Sequence, residues 1–301
     1  MPTTRKPIPA PAVGVYENVP SEIYHAWNCA NASSLKAMIE TTPHHVHFDR
    51  NNPEETPDIP PSVSGASLDI GTAWHTLCLQ PDEFQTYVAE LPELDFRKKD
   101  DKEWFANVKA SRADFPTVYL RKDSAEVVRN MAAALRANKT AANLLDLPGR
   151  CELSVVWETR SATGRLVKVK ARYDKILDPF DGSPCVLLDL KSTMDASPKA
   201  FQKDIAERRY HWSAGLYSAI ARECPDLPNP EGFVLLAQEK DRDFQAACYS
   251  LDPAAVSLGE VQVREALDIW ADCEASGVWP AYHEGLKTIS LPLWAMPKVL
   301  A

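Results

Sequence analysis

Apolar and polar positions along the chain follow two textures that meet near Pro148. Before that point apolar residues recur at helical spacing. The spacing predicts a helix over 33–40, which Ser33 or Ser34 can cap and the Thr41-Thr42-Pro43 run ends, and further helices over 71–79, 103–109 and 124–145. Residues 51–64 hold Pro53, Pro57, Pro60 and Pro61 among several acids, which predicts a loop. After Pro148 the period falls to two. Segments 151–158 and 166–176 alternate like strands and are joined by the turn Ser161-Ala162-Thr163-Gly164, the pattern of a hairpin. A second turn spans 178–184, and 185–190 is an almost continuous apolar run, as expected of a strand buried on both faces. A long helix is predicted over 198–222 with the stripe Phe201, Ile205, Trp212, Leu216 and Ile220, then strands over 232–238 and 245–251 and a last helix over 253–276. The order is helices, a three-strand meander, a helix, two more strands and a helix, without internal repeat. It predicts an α/β fold whose central mixed sheet is flanked by helices. The expected organisation is a flexible, proline-rich segment over 1–20 and one domain over 21–301, its helical part at 21–148 and its sheet core at 149–280.

Composition narrows the functional classes. With 301 residues, 45% of them apolar, the chain can build a sizeable core. Its first residues lack the apolar region of a signal peptide, and no window reaches the roughly 18 apolar residues of a membrane span, so a cytoplasmic protein without membrane contact is expected. Seven cysteines, at 29, 78, 151, 185, 224, 248 and 273, form no Cys-x-x-Cys pair, which argues for reduced thiols and against an iron–sulfur cluster. Cys151 and Cys185 lie in apolar strands with nothing to lower a thiol pKa, so neither reads as a nucleophile. Only 11 glycines are present, with no Walker or dinucleotide fingerprint, so no nucleotide cofactor is expected. The net charge of −9 argues against a polybasic binder, yet it leaves room for a local cationic track on DNA.

Candidate chemistry concentrates in the meander. On the strand ending at Asp174, side chains alternate faces, so Lys168, Lys170, Arg172 and Asp174 share one side. Taken alone, this pattern suits a solvated strand face. Fifteen residues later Asp189 and Lys191 again share a face, and the intervening turn would bring Asp189 beside Asp174. Two carboxylates that close repel unless a divalent cation sits between them, and Mg2+ takes such oxygen ligands. Lys191 would then orient or help deprotonate the attacking water and offset charge on phosphorus. Asp-x-Lys alone is weak: a copy at Asp100-Asp101-Lys102, with no strand before it, is the internal control. The apolar run Val186-Leu187-Leu188 and the partner Asp174 distinguish the later copy. His75 on its helix, and Glu152 at the start of the first meander strand, are each open to a structural or a metal-binding reading. The His44-His45-x-His47 cluster lacks a fourth ligand at zinc spacing.

The ordered set Gly71-x-x-x-His75, Glu152 with Trp157, Lys170-x-Arg172-x-Asp174, Asp189-Leu190-Lys191-Ser192-Thr193 and Tyr210 with Tyr217 resembles the nuclease domain of RecE-type exodeoxyribonuclease VIII. It is similar also to the wider RecB/lambda-exonuclease branch of PD-(D/E)XK enzymes. Ser33-Ser34-Leu35-Lys36 before Pro43 and Gln238-Glu239-Lys240 extend the likeness over about residues 20 to 275. The resemblance implies a PD-(D/E)XK core and 5′-to-3′ digestion of linear duplex DNA with Mg2+, for which Mn2+ would substitute. It assigns metal binding to His75, Asp174, Asp189 and the Leu190 backbone carbonyl, and service of the water to Lys191. Glu152 and Tyr217 are possible additions, and Lys168, Lys170, Arg172 and Arg209 would contact DNA. It further implies a homo-oligomer acting with a RecT-like annealing protein in phage or prophage recombination, in a bacterial or phage-infected cell. The family often carries Gln where Ser213 stands here. A structure-specific or single-strand endonuclease, and an inactive module binding DNA or protein, are the alternatives.

Overall fold

The computed structural model describes residues 7–52, 66–112, 117–179, 182 and 184–292, leaving aside the side chains of 66–68. The segment expected to be flexible carries a short strand, β1 (Gly14–Tyr16), which pairs antiparallel with Ser154–Val156, and Ile8 makes a bridge to Trp27. Helices α1 (Ser21–Ala26), α2 (Ala32–Glu40) and α3 (Pro43–Asn51) follow. Asn31, rather than Ser33 or Ser34, caps α2, and Ser34 completes a reciprocal capping box with it. Thr42 caps α3 through the His45 N–H, with Pro43 in its first turn, so the histidine run is helical. Most of the loop predicted over 51–64 lies outside the described residues.

Next come α4 (Ala66–Leu79), a 3-10 turn (Pro81–Glu83), α5 (Phe84–Tyr87), β2 (Val88–Leu91), α6 (Lys99–Ser111), β3 (Val118–Arg121), α7 (Lys122–Ala137) and α8 (Lys139–Asp146). The single helix predicted over 124–145 is two, because Asn138 leaves helical geometry and its side chain caps α8. Strands β2 and β3 form a separate parallel pair. The meander is β4 (Gly149–Arg160), β5 (Leu166–Leu177) and β6 (Cys185–Thr193), followed by α9 (Pro198–Glu207), α10 (Tyr210–Glu223), β7 (Pro230–Glu239), β8 (Ala246–Ser250) and α11 (Pro253–Ser276). The helix predicted over 198–222 breaks at Arg208 and Arg209; Arg209 is left-handed, at φ 51°, and the Lys36 ammonium donates to the Arg208 carbonyl at 2.8 Å.

The sheet order is β1-β4-β5-β6-β7-β8, antiparallel throughout except for the parallel pair β6–β7 that α9 and α10 connect. Helices cover both faces. Leu187 and Leu235 pack with residues of α2, α10 and α11, whereas Leu190 and Leu236 pack with α4, α7 and α8. Alternate residues of β6 and β7 thus enter different cores, which is why these strands read as unbroken apolar runs. Among the described residues no helix is long and apolar enough to cross a membrane.

Helices α10 and α11 touch backbone to backbone at two glycines. A Cβ on Gly215 would lie 2.2 Å from the Glu260 nitrogen, and one on Gly259 would lie 1.9 Å from the His211 carbonyl oxygen. A methyl group here must push the helices apart. Gly215→Ala and Gly259→Ala are each expected to destabilise the fold by about 1–3 kcal/mol, read as a lower urea midpoint. An unchanged midpoint in both would mean that the helices do not meet there.

Candidate active site

Three adjacent strands bring acids into one row. Register pairs Cys151 with Lys175 and Leu153 with Tyr173, so Glu152 stands opposite Asp174. Between β5 and β6 the register pairs Ile176 with Leu187 and Lys175 with Leu188, and its next step would match Asp174 with Asp189. Neither acid pair belongs to its ladder. Glu152 has φ 51°, a left-handed conformation that costs a non-glycine residue on the order of 1 kcal/mol or more. Leu153 packs in one core and Cys151 against the other, although regular alternation would keep residues two apart on one face. The strands therefore turn at Glu152 and Asp174, and the two carboxylates leave the regular faces of the sheet.

Asp174 replaces a strand carbonyl. Its Oδ2 accepts the Leu190 N–H at 2.7 Å, which occupies the amide beyond the last ladder pair of β5–β6. Helix α4 supplies the facing group. Trp74 is fully buried in the core that Leu190 shares, and Gly71 lies beside Ser192, whose Oγ would be 3.4 Å from a Cβ there, an ordinary contact. His75 is thereby aimed at β6. Its Nε2 lies 2.9 Å from the Leu190 carbonyl, which can only accept, so Nε2 donates. Nδ1 then faces Asp174 Oδ2 at 3.6 Å. In the neutral ring both are acceptors, an arrangement that a cation between them would satisfy. Ligand atoms of His75, Glu152 and Asp174 all lie within 4.8 Å of one another.

Asp189 is turned differently. It is buried, and its Oδ2 lies 2.5 Å from the Lys191 ammonium, which also stands 3.4 Å from the Leu190 carbonyl and over the Tyr210 ring. Of the expected metal ligands, His75 and Asp174 come together with Glu152, whereas Asp189 is engaged by Lys191 and the Leu190 carbonyl by the His75 ring. Burial disfavours the Lys191 charge, but Asp189 and Asp174 outweigh it and raise its pKa. An ammonium held so firmly suits charge stabilisation and water orientation better than proton abstraction. Burial, reinforced by Asp189 and Glu152 and opposed by His75 and Lys191, pushes Asp174 up to about 6. Burial and Asp189 likewise raise the Tyr217 phenol, whose backbone carbonyl accepts the Tyr173 O–H at 2.8 Å. Ser213 sits one turn earlier on α10.

The expected DNA contacts divide. Lys170 is corrected: it is 2% exposed and donates to the carbonyls of Tyr24, His25 and Trp27 at 2.7–2.9 Å, so it holds the end of α1 and has no proton left for a phosphate. Arg172 is committed too, with Nε 2.5 Å from Glu152 Oε2 and Nη1 donating to the Val19 carbonyl at 2.8 Å. Lys168 remains partly exposed, opposite Glu158, and Arg209 lies over the Trp212 ring with Glu40 at 3.5 Å. The pairing of Arg172 with Glu152 was not read from the sequence. The signal was present, because the turn at Ser161 to Gly164 sets a register that matches Glu152 with Asp174 and puts Arg172 two residues away.

Other candidates dissolve into structure. His45 Nδ1 is 2.6 Å from Thr42 Oγ1, and the His47 ring stacks on Trp279. Asp100 and Asp101 of the control motif lie in the first turn of α6, where Asp101 accepts the Asp95 N–H. Burial pushes the Cys185 thiol up to about 11, the opposite of a nucleophile's tuning. A hard divalent ion fits the clustered donors: one imidazole nitrogen and two carboxylates, one of them made reluctant to ionise by burial.

Comparison with known proteins agrees with this architecture. The chain is similar over 87% of its length, and over 89% of the other chain, to a protein of Eubacterium rectale whose structure carries a provisional exonuclease designation, at 11% identity and TM-score 0.51. That likeness concerns the fold. A second structure, SSO0001, shares 13% identity over 65% of this chain and 84% of its own at TM-score 0.27, too distant to carry an argument. No curated protein matches the sequence. Residues 31–292 match the family described as PDDEXK-like domain of unknown function (DUF3799). Match and sheet together decide the family: the chain belongs to the PDDEXK-like domains, on the fold of the PD-(D/E)XK nucleases.

Proposed function

We propose that the protein is a Mg2+-dependent deoxyribonuclease that digests linear duplex DNA from 5′ to 3′. The observation that carries this reading is the convergence of His75, Glu152 and Asp174 within 4.8 Å, beside the Asp189–Lys191 pair. The exonuclease designation of the Eubacterium rectale protein and the RecE-type resemblance of the motifs support the choice of DNA ends. The RecE-type resemblance by itself is the ground for a homo-oligomer that works with a RecT-like annealing protein in phage or prophage recombination.

His75, Glu152 and Asp174 would hold the ion, with Asp189 available at its edge. When bound, Mg2+ would polarise a phosphate oxygen and acidify a water molecule. Asp174 keeps the Leu190 amide, and so the turn of β6, in place. Lys191, held protonated, offsets charge that builds on the phosphorus and donates to the attacking water. Tyr210 and Asp189 fix that ammonium from two sides. Lys168 and Arg209 are the remaining candidates for the phosphate track.

Incubation with linear and closed circular duplex DNA, in Mg2+ or EDTA, tests the reading. Loss of linear DNA in Mg2+ alone is expected; nicked circles would point to an endonuclease, and no cleavage of either to a binding module. Asp174→Ala and Lys191→Ala should each lower turnover at least about a hundredfold. Asp100→Ala, on α6, should leave it unchanged; equal activity of all three variants would remove the site.

Asp174 also makes a pH prediction. A carboxyl raised from 3.8 to about 6 keeps its proton in the folded chain where the unfolded chain has released it, so its contribution to stability falls as pH rises through that window. In EDTA, the wild-type melting temperature measured relative to Asp174→Asn should therefore drop between about pH 4 and pH 6 and then level off. A difference that stays flat, or rises with pH, would contradict the burial of this carboxyl.

A further inference from the structure

Arg172 links the cluster to the start of the chain. Its side chain is 17% exposed and that of Glu152 15%, so their contact at 2.5 Å is shielded from solvent far more than a surface pair. One guanidinium edge takes Glu152 Oε2, while Nη1 donates to the Val19 carbonyl and Cζ lies 5.8 Å from the Tyr24 ring centroid. Val19 and Tyr24 are themselves anchored. Strand β1 is laid on Ser154–Val156, immediately beyond Glu152, and Lys170 grips the carbonyls that end α1. Glu152, by contrast, stands on left-handed backbone outside the ladder, where no strand pairing orients it.

We propose that Arg172 is a positioning residue for the ion site: braced by Val19 and Tyr24, it holds Glu152 within ligand distance of His75 and Asp174. This rests on the assignment of the cluster to a divalent ion. A guanidinium suits the task because its planar fork can serve a carboxylate and a carbonyl in fixed directions, which an ammonium cannot do. The three possible roles of Arg172 predict different outcomes. As a bare charge beside a cation site it would weaken ion binding, and its removal would tighten it. As a plain structural brace its loss would lower melting temperature and leave ion affinity alone. As a positioning residue its loss weakens ion binding, and only while Glu152 is there to be positioned.

Mn2+ alone, titrated calorimetrically into the full chain, separates these outcomes. Arg172→Gln is expected to weaken Mn2+ binding about tenfold, the scale on which groups that orient ligands act, and Arg172→Lys to weaken it less. Glu152→Gln should weaken it similarly, and adding Arg172→Gln to Glu152→Gln should change it less than about twofold. Unchanged or tighter binding in Arg172→Gln, or losses that simply add in the double variant, would overturn the proposal. Should Arg172→Gln fail to fold, Arg172→Lys carries the same test, since an affinity equal to wild type would overturn it. Asp174→Asn is the control for the site itself. If the wild type binds no Mn2+, or Asp174→Asn binds it equally well, the ion-site assignment falls and this proposal with it; loss in Asp174→Asn beside an unaffected Arg172→Gln would sink the positioning role alone.

Discussion

The hydrogen bond from the Leu190 N–H to the Asp174 carboxylate is the interaction on which the site depends. At this point β5 and β6 part, and a side-chain oxygen takes the amide that a strand carbonyl would otherwise receive. Buried amides demand partners, so the carboxylate cannot leave without exposing a cost of about 1–3 kcal/mol. The same bond draws Asp174 toward β6 and presents it to His75 on α4. The geometry of the candidate site and that of the sheet are thus one arrangement.

Charge is balanced pair by pair. Asp189 faces Lys191, Glu152 faces Arg172, and Asp174 faces the His75 ring at the longer distance of 3.6 Å. Burying carboxylates without counter-charges is strongly unfavourable, so each acid that enters the row arrives with a basic group. Burial, reinforced by Asp189 and Glu152, raises the Asp174 pKa in spite of His75 and Lys191, and marks the place where a cation gains most. The neighbours of Lys191 carry the opposite consequence, since two carboxylates keep its ammonium charged in spite of burial.

The strand that delivers Asp174 also fastens the start of the chain. Lys170 and Arg172, two residues apart on β5, donate to the carbonyls of Trp27 and Val19. Their charges are turned inward to a segment that also buries Tyr24, Trp27 and Cys29 against Val156. Two of the cations on the strand that ends at Asp174 therefore serve packing, and fewer of them are left exposed than the sequence implied.

The meander, the last two strands and α11 were legible because period-two alternation and continuous apolar runs reflect local burial, which each residue type reports for itself. Asp174, Asp189 and Lys191 could be named from the sequence, but strand spacing did not decide how they meet: Asp174 faces His75 and Glu152, while Asp189 is engaged by Lys191. Helix breaks at Asn138 and Arg209 were not legible, since neither Pro nor Gly marks them: Asn138 caps α8 through its own side chain, and at Arg209 the backbone turns left-handed without a side-chain cap. Most of all, sequence could name Glu152, Lys170 and Arg172 but not their partners. Which acid meets the imidazole, which meets the ammonium, and which cation is spent on a backbone carbonyl are decided by strand register and by the approach of α1 and α4. Those are distances between segments far apart in the chain, and only packing in three dimensions sets them.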